Sequence, residues 1–292
     1  MNLIDQINEQ IKSDQGATYR RHLGELMPLM HDAYNPKSEP FRSHMGASGI
    51  GNECARAVWY NFRWVTASNH EGQLLRLFNT GHLAEAKFLA MLKCVGVQVY
   101  VHDSNGKQFR IQNDSGHFGG SCDGVGVGIL VDPALLEFKT SGDKAFKMML
   151  ANGVKAAKFE HYVQMQIYMH YLKLTVAVYM VLNKNDESLY TEVVHYDQGT
   201  AERYIARAEA LIESPHPPLK INQSPGYFKC KQCDHASVCH LGAAPAVNCR
   251  TCVHSAPVNA THTSTGEWIC LRTEQKIDKS MQLVGCELYE QF

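Results

Sequence analysis

An α/β fold, with a mixed sheet sandwiched between helices, is what this sequence predicts. Three observations carry the prediction. Apolar residues recur at helical spacing up to residue 95 and again over 143–173, with short β-branched runs between and after them. The resulting order is helices, strands, one or two helices, strands and a helix, which fits a mixed sheet better than a doubly wound parallel one. The chain has 292 residues, 45% of them hydrophobic, so one large core is expected with a small appendage.

In chain order, the opening segment to about residue 46 reads as helix and then loop, the loop including NPKSEP at 35–40. Residues 52–64 (NECARAVWYNFRW) suit a helix capped by Asn52. EGQLLRLFNTGHLAEAKFLAMLKCVG predicts one helix, long or broken around Gly81. Strands are expected at 97–102 and 107–113. In CDGVGVGILVDPALLEFKT, two apolar runs flank a turn at Asp132-Pro133 and read as paired antiparallel strands. Helices follow at 143–152 and 157–173. LTVAVYMVLNK and SLYTEVVHY read as two further strands, and 199–213 as a helix ending before SPHPP. After residue 226 the chain is cysteine-dense and lacks periodicity, so something other than an apolar core must hold it.

Composition excludes several classes. Formal charge is −1, from 28 basic and 29 acidic residues, so no global basic field points to nucleic acid and any such site must be local. Lys139, Lys144, Lys147, Lys155 and Lys158 form one local excess, which alone reads as a solvated helix face. The start, MNLIDQINEQIKSDQG, lacks a signal-peptide layout, and no apolar run approaches the ~18 residues that span a membrane. A cytoplasmic location is therefore expected, where ten cysteines serve metals rather than disulfides.

The hairpin holds the chemistry. Glu137 and Lys139 are two apart on one strand and so project from one face, onto which the first strand can carry Asp123. Asp123 lies among glycines (Gly119-Gly120-Ser121-Cys122-Asp123-Gly124), where backbone can approach a ligand closely. Gln164 and Tyr168 share a helical face after this strand, and Glu85 sits on the helix before it. Asp123 with Glu137-x-Lys139, together with Glu85 and Gln164-x-x-x-Tyr168, resembles the RecB-like branch of the PD-(D/E)xK nucleases, across most of residues 48–240. Cys122 departs from the proline of the superfamily's name, and Glu85 stands where these enzymes often have His, with His82 one turn earlier. The resemblance implies a restriction-endonuclease-like core that cuts phosphodiester bonds. Hard carboxylate oxygens select Mg²⁺ or Mn²⁺. Asp123, Glu137 and Glu85, helped by the Phe138 carbonyl, are expected to hold the ion, His82 being the alternative to Glu85. Lys139 is expected to orient the attacking water and stabilise the transition state, and Gln164 and Tyr168 to position substrate.

CKQCDHASVC at 230–239 is a C-x₂-C-x₅-C set that needs a fourth ligand, and Cys54 stands upstream at a helix start. From spacing alone zinc and an iron–sulfur cluster fit equally. A Cys before the nuclease core and this set after it, with Ser48, Cys54 and Arg56 as S-x₅-C-x-R, resembles the AddB-type nuclease domains and the CRISPR-associated RecB-like exonucleases. That resemblance implies a [4Fe–4S] cluster on Cys54, Cys230, Cys233 and Cys239. By the disulfide model, closing so long a loop stabilises by about 4–5 kcal/mol, which makes the cluster a structural clip. Cys249-x₂-Cys252, Cys270 and Cys286 look like a zinc ribbon, with His254 and His262 as alternative ligands. Cys94 and Cys122 read as packing residues, and His117, His161, His170 and His240 carry no motif.

The expectation is a nuclease domain over 1–240 whose ends the cluster joins, and a zinc-ribbon-like module over 241–292. It would act as a Mg²⁺- or Mn²⁺-dependent DNA exonuclease in recombination, repair or end-processing. No G-x-x-x-x-G-K-[ST] phosphate loop is present, so a helicase or annealing protein would be a partner rather than a part. Two other classes stay open: a catalytically silent DNA-binding scaffold, and an iron–sulfur redox or sensor protein.

Overall fold

A computed structural model describes residues 2–34, 41–102, 108–259 and 265–292. They form two compact units. One gathers His70–Ile111 and Ser121–Ala201 with the N-terminal helices, and the other Gln112–Gly120 and Glu202–Phe292 with the segment ending at Asn69. Residues 241–292, expected as a module of their own, fall inside the second unit together with 202–240.

The first unit is built on a five-stranded sheet. Its strands are β1 (Gln98–Tyr100), β2 (Gly124–Val127), β3 (Ala134–Ser141), β4 (Val176–Asn183) and β5 (Leu189–His195), lying side by side in that order. Only β3 and β4 run parallel, from Leu135↔Ala177 to Ser141↔Asn183; the other pairs are antiparallel. The mixed sheet is therefore as expected. A parallel pair needs a crossover, supplied by the helices Asp143–Ala157 and Phe159–Leu172. Every residue of β4 is buried, as suits a central strand covered on both faces.

Period-two alternation sorts β3. Leu136 and Phe138 enter the core with Val178, Met180 and Leu182 of β4 and with Phe88 and Leu92 of the helix Gly72–Cys94. Phe88 and Phe138 stack with ring centres 4.8 Å apart. Glu137 and Lys139 consequently face the other way, toward the helix Phe159–Leu172. Gly124 admits β1 beside the hairpin: at φ 152° it lies where a Cβ would come within 3.0 Å of Tyr100 O.

Several boundaries move. The helix expected at 52–64 is Ala55–Phe62, with Cys54 rather than Asn52 at its N-cap. Asn52 instead bends the chain before the helix, its Oδ1 accepting from Cys54 N at 2.9 Å. Trp64 ends it in the left-handed region at φ 58°. The helix Gly72–Cys94 runs unbroken through Gly81. The helix expected at 143–152 ends there: Gly153, at φ 72°, kinks the chain, and a short helical turn restarts and runs to Ala157. Glu192 then accepts from Val154 N at 2.7 Å, satisfying the restarted helix. The strand expected at 107–113 is Arg110–Gln112, residue 107 and the loop 35–40 lying outside the described residues.

In the second unit, Met45–Gly46 pairs with Phe118–Gly119 in parallel. A three-stranded antiparallel ribbon places Glu267–Cys270 between Ser255–Val258 and Gln275–Ile277. Trp59, Phe62, Trp64 and Trp268 are all buried there. Among the described residues, no helix is long and apolar enough to cross a membrane.

Candidate active site and thiol clusters

The hairpin brings its three expected residues together. Asp123, just before β2, accepts from Phe138 N of β3 through Oδ2 at 2.7 Å. Two residues apart on β3, Lys139 Nζ donates to Glu137 Oε1. Glu137 is fully buried and its Oε2 has no hydrogen-bond partner, while Lys139 keeps 27% of its side-chain surface exposed. A lysine at the rim thus reaches down to a carboxylate at the floor.

Burial drives the electrostatics. Loss of solvent pushes Glu137 up to about 7 against the pull of Lys139, and Asp123 pushes the same way. Asp123 is likewise raised by burial, with Lys139 and the Phe138 N–H opposing. Lys139 stays firmly protonated: burial works against its charge, but Glu137, Asp123 and Glu85 together outweigh it. Glu85 is pushed up to about 8, first by desolvation and then by Asp123, Asp32 and Glu137, while Lys139 opposes. All the expected acids therefore feel one another across the site.

Glu85 also borders a cavity of about 300 Å³ with His31, Asp32, His82 and His102, above an apolar floor that includes Leu89 and Val99. His82 Nδ1 lies 4.0 Å from Glu85 Oε1, so both candidates for the third ligand share this wall. On the helix Phe159–Leu172, buried Gln164 donates through Nε2 to Tyr168 OH at 3.4 Å. Burial raises the Tyr168 hydroxyl above its ordinary range, and Glu137 adds to the effect, so it remains a neutral donor.

Three groups near this site have no motif to announce them. Asp32 comes from an N-terminal helical turn and acts on Glu85. His161 Nδ1 and Tyr179 OH are hydrogen-bonded at 2.7 Å. Burial, then Lys139 and Lys158, hold the imidazole down at about 3, so it is neutral at ordinary pH. Tyr179, raised by burial and next by Glu137, sits on β4 opposite Glu137 in register. The pairing of β3 with β4 puts Tyr179 beside Glu137, and sequence spacing announces none of the three. In the lysine run, Lys147 pairs with Asp143 (2.7 Å) and Lys155 with Asp197 (3.7 Å). Such exposed pairs are worth about 0–1 kcal/mol and leave both lysines free to exchange partners.

Among the described residues, no three carboxylate, imidazole or thiol groups are already drawn into an ion-binding cage. The donor set nevertheless fits a hard divalent cation. Glu137 Oε2 is an orphaned buried oxygen, and two further carboxylates, Asp123 and Glu85, are raised chiefly by burial.

Cys54, Cys230, Cys233 and Cys239 lie in the second unit as free thiols. Cys230 is raised by burial and then by Cys239 and Cys54; Cys233 is raised by burial, with Cys54 and Cys239 contributing. Contacts in the flanking chain bring the segment around Cys54 to the one carrying the other three. Glu53 pairs with Lys229 at 2.8 Å, and His235 Nε2 bonds Asn61 Oδ1 at 3.1 Å while its ring meets Tyr60 edge-on. In the second set, Cys249 is pushed up to about 11 by burial and then by Cys286, Cys252 and Cys270. His254, an alternative ligand, is instead bonded to Glu290 at 3.1 Å; His262 lies outside the described residues.

No family model matches the chain, and no curated protein matches it. Among solved structures it is similar to an alkaline exonuclease from Laribacter hongkongensis, at 15% identity and a TM-score of 0.44, over 58% of this chain and 86% of that one. The same enzyme in complex with dAMP gives the same values. The protein SSO0001 is similar at 17% identity and a TM-score of 0.36, over 77% of this chain and 97% of that one. These likenesses are loose, and the function proposed below rests on the chain's own residues.

Proposed function

We propose that the first unit is a metal-dependent nuclease of the PD-(D/E)xK kind that hydrolyses DNA phosphodiester bonds, as an exonuclease of the RecB-like iron–sulfur branch. The observation that carries this is the meeting of Asp123, Glu137 and Lys139 through the Phe138 N–H and the Glu137–Lys139 pair. A structural salt bridge calls for neither a second buried carboxylate nor an orphaned oxygen. Asp123, Glu137 and Glu85, with the Phe138 carbonyl, would hold Mg²⁺ or Mn²⁺. When bound, the ion supplies Lewis-acid activation of water and neutralisation of phosphate charge. Lys139, kept protonated, presents N–H donors at the rim to a phosphate oxygen and the incoming water. The Gln164–Tyr168 pair offers a fixed neutral donor beneath substrate. Neutral His161 is hydrogen-bonded to Tyr179 and carries no imidazolium proton with which to act as an acid.

In this reading Cys54, Cys230, Cys233 and Cys239 carry a [4Fe–4S] cluster, and Cys249, Cys252, Cys270 and Cys286 carry zinc. DNA is the substrate, contacted mainly at phosphates through the exposed 139–158 lysines, in a reducing cytoplasm and beside a helicase or annealing partner. The test is digestion of end-labelled single- and double-stranded DNA with Mg²⁺ or Mn²⁺, alongside iron, sulfide and zinc analysis of one anaerobic preparation. Full cleavage by Glu137→Ala or Lys139→Ala protein would reject the assigned roles. Binding without cleavage by wild type would favour the silent scaffold.

A further inference from the structure

The second unit buries the guanidinium groups of Arg63 and Arg250, 3% and 2% exposed. Among the described residues, neither has a carboxylate within ion-pair reach. Carbonyls and aromatic faces hold them instead. Arg250 donates from Nε to Gln282 Oε1 (2.9 Å), from Nη1 to Phe62 O (3.1 Å) and from Nη2 to Ser43 O (2.9 Å). Its guanidinium carbon lies 3.8 Å from the Trp64 ring centre and 4.5 Å from that of Trp268. Arg63 donates from Nη1 to Arg250 O (3.2 Å) and Ser255 O (2.9 Å), and its buried Nε has no partner. Burying one cation without an anion is costly, and burying two near each other is more so.

Their position says which anion is expected. Arg250 lies inside the Cys249–Cys252 loop, and the two carbonyls clamped by Arg63 bracket Cys252 in sequence. Beside the burial that opposes it, the charge on Arg63 is supported by Cys252. Four thiolates around one divalent ion leave two negative charges in excess, which two guanidiniums balance.

We propose that Arg63 and Arg250 are the buried counter-charges and positioning residues of an all-thiolate divalent-metal centre on Cys249, Cys252, Cys270 and Cys286. This rests on the reading of that thiol set as a metal site. It also decides the ligand set: a neutral imidazole in place of a thiolate leaves the arginine pair under-compensated, so His254 stays with Glu290.

The test uses the full-length protein. Zinc affinity is measured by chelator competition, and the signal is assigned to this centre by its loss in Cys286→Ser, Cys286 being exposed. Cobalt substitution reads the sulfur-to-metal absorption, and circular dichroism reads folding. Arg63→Gln is expected to weaken the metal about 10–100-fold, as loss of an outer-shell partner does, and Arg63→Lys to recover most of that loss. Gln282→Glu sets a carboxylate against Arg250 with little change of shape and is expected to weaken the metal about tenfold or more; it decides the matter should Arg63→Gln not fold. Either variant folded, with wild-type affinity and an unchanged cobalt spectrum, overturns the proposal. Equal zinc in wild type and Cys286→Ser overturns the underlying metal reading instead, whatever the arginine variants do.

Discussion

Replacing Glu137 by glutamine should make the metal-free protein more tolerant of alkaline pH while abolishing activity. Glu137 titrates at about 7 in the folded protein against an ordinary value of 4.5. A raised carboxyl means the folded state holds a proton that the unfolded state has lost. Its stabilising contribution is therefore present at low pH and disappears as pH rises from 4.5 through about 7. At ~1.4 kcal/mol per unit, the loss between about pH 5 and pH 8 is about 2–3 kcal/mol. The amide of the Glu137→Gln variant does not titrate, so the wild-type minus variant stability should fall by that amount over the same interval. The measurement is urea denaturation with a chelator present at both pH values. If Glu137 were only the salt-bridge partner of Lys139, wild type would gain on the variant as pH rises. That opposite sign, or a flat difference, would refute an acid held ready for a cation. Adding Mn²⁺ at the alkaline end should restore the wild-type advantage.

Further outcomes follow from the same geometry. Asp123→Asn and Lys139→Met should each lower kcat by about 10²-fold or more with the fold retained by circular dichroism, since each removes a group acting where charge develops. Tyr168→Phe should cost far less, about tenfold, and restore none of it on changing pH, because the hydroxyl is neutral throughout. Phe88→Ala should destabilise by about 3–5 kcal/mol in calorimetry, losing the stack on Phe138 that backs the Glu137 strand. Cys230→Ser should release iron from anaerobically purified protein and lower its melting temperature, whereas Cys94→Ser should leave iron content unchanged.

Much of the first unit was legible in the chain. The alternation of β3 follows from its side-chain sizes, which is enough to put Glu137 and Lys139 on one face. The helical periodicity of 72–94 and 159–172 needed only apolar spacing. Helix ends were less readable, because Asn52 serves equally as a cap or as the pivot of a preceding bend. The C-x₂-C spacings near the C-terminus were legible in the chain, but the aromatic and arginine surroundings of those cysteines were not.

By itself, then, the order of residues determined local geometry: which side chains share a face, where a hairpin turns, and which thiols are close along the chain. Tertiary structure alone decided that Asp32 bears on Glu85, that Tyr179 and His161 back Glu137, and that Arg250 lies against two tryptophans with no carboxylate paired to it among the described residues. The reason is physical. Facing and turning are short-range consequences of backbone sterics, whereas burial and charge coupling depend on what distant segments bring into the same low-dielectric space.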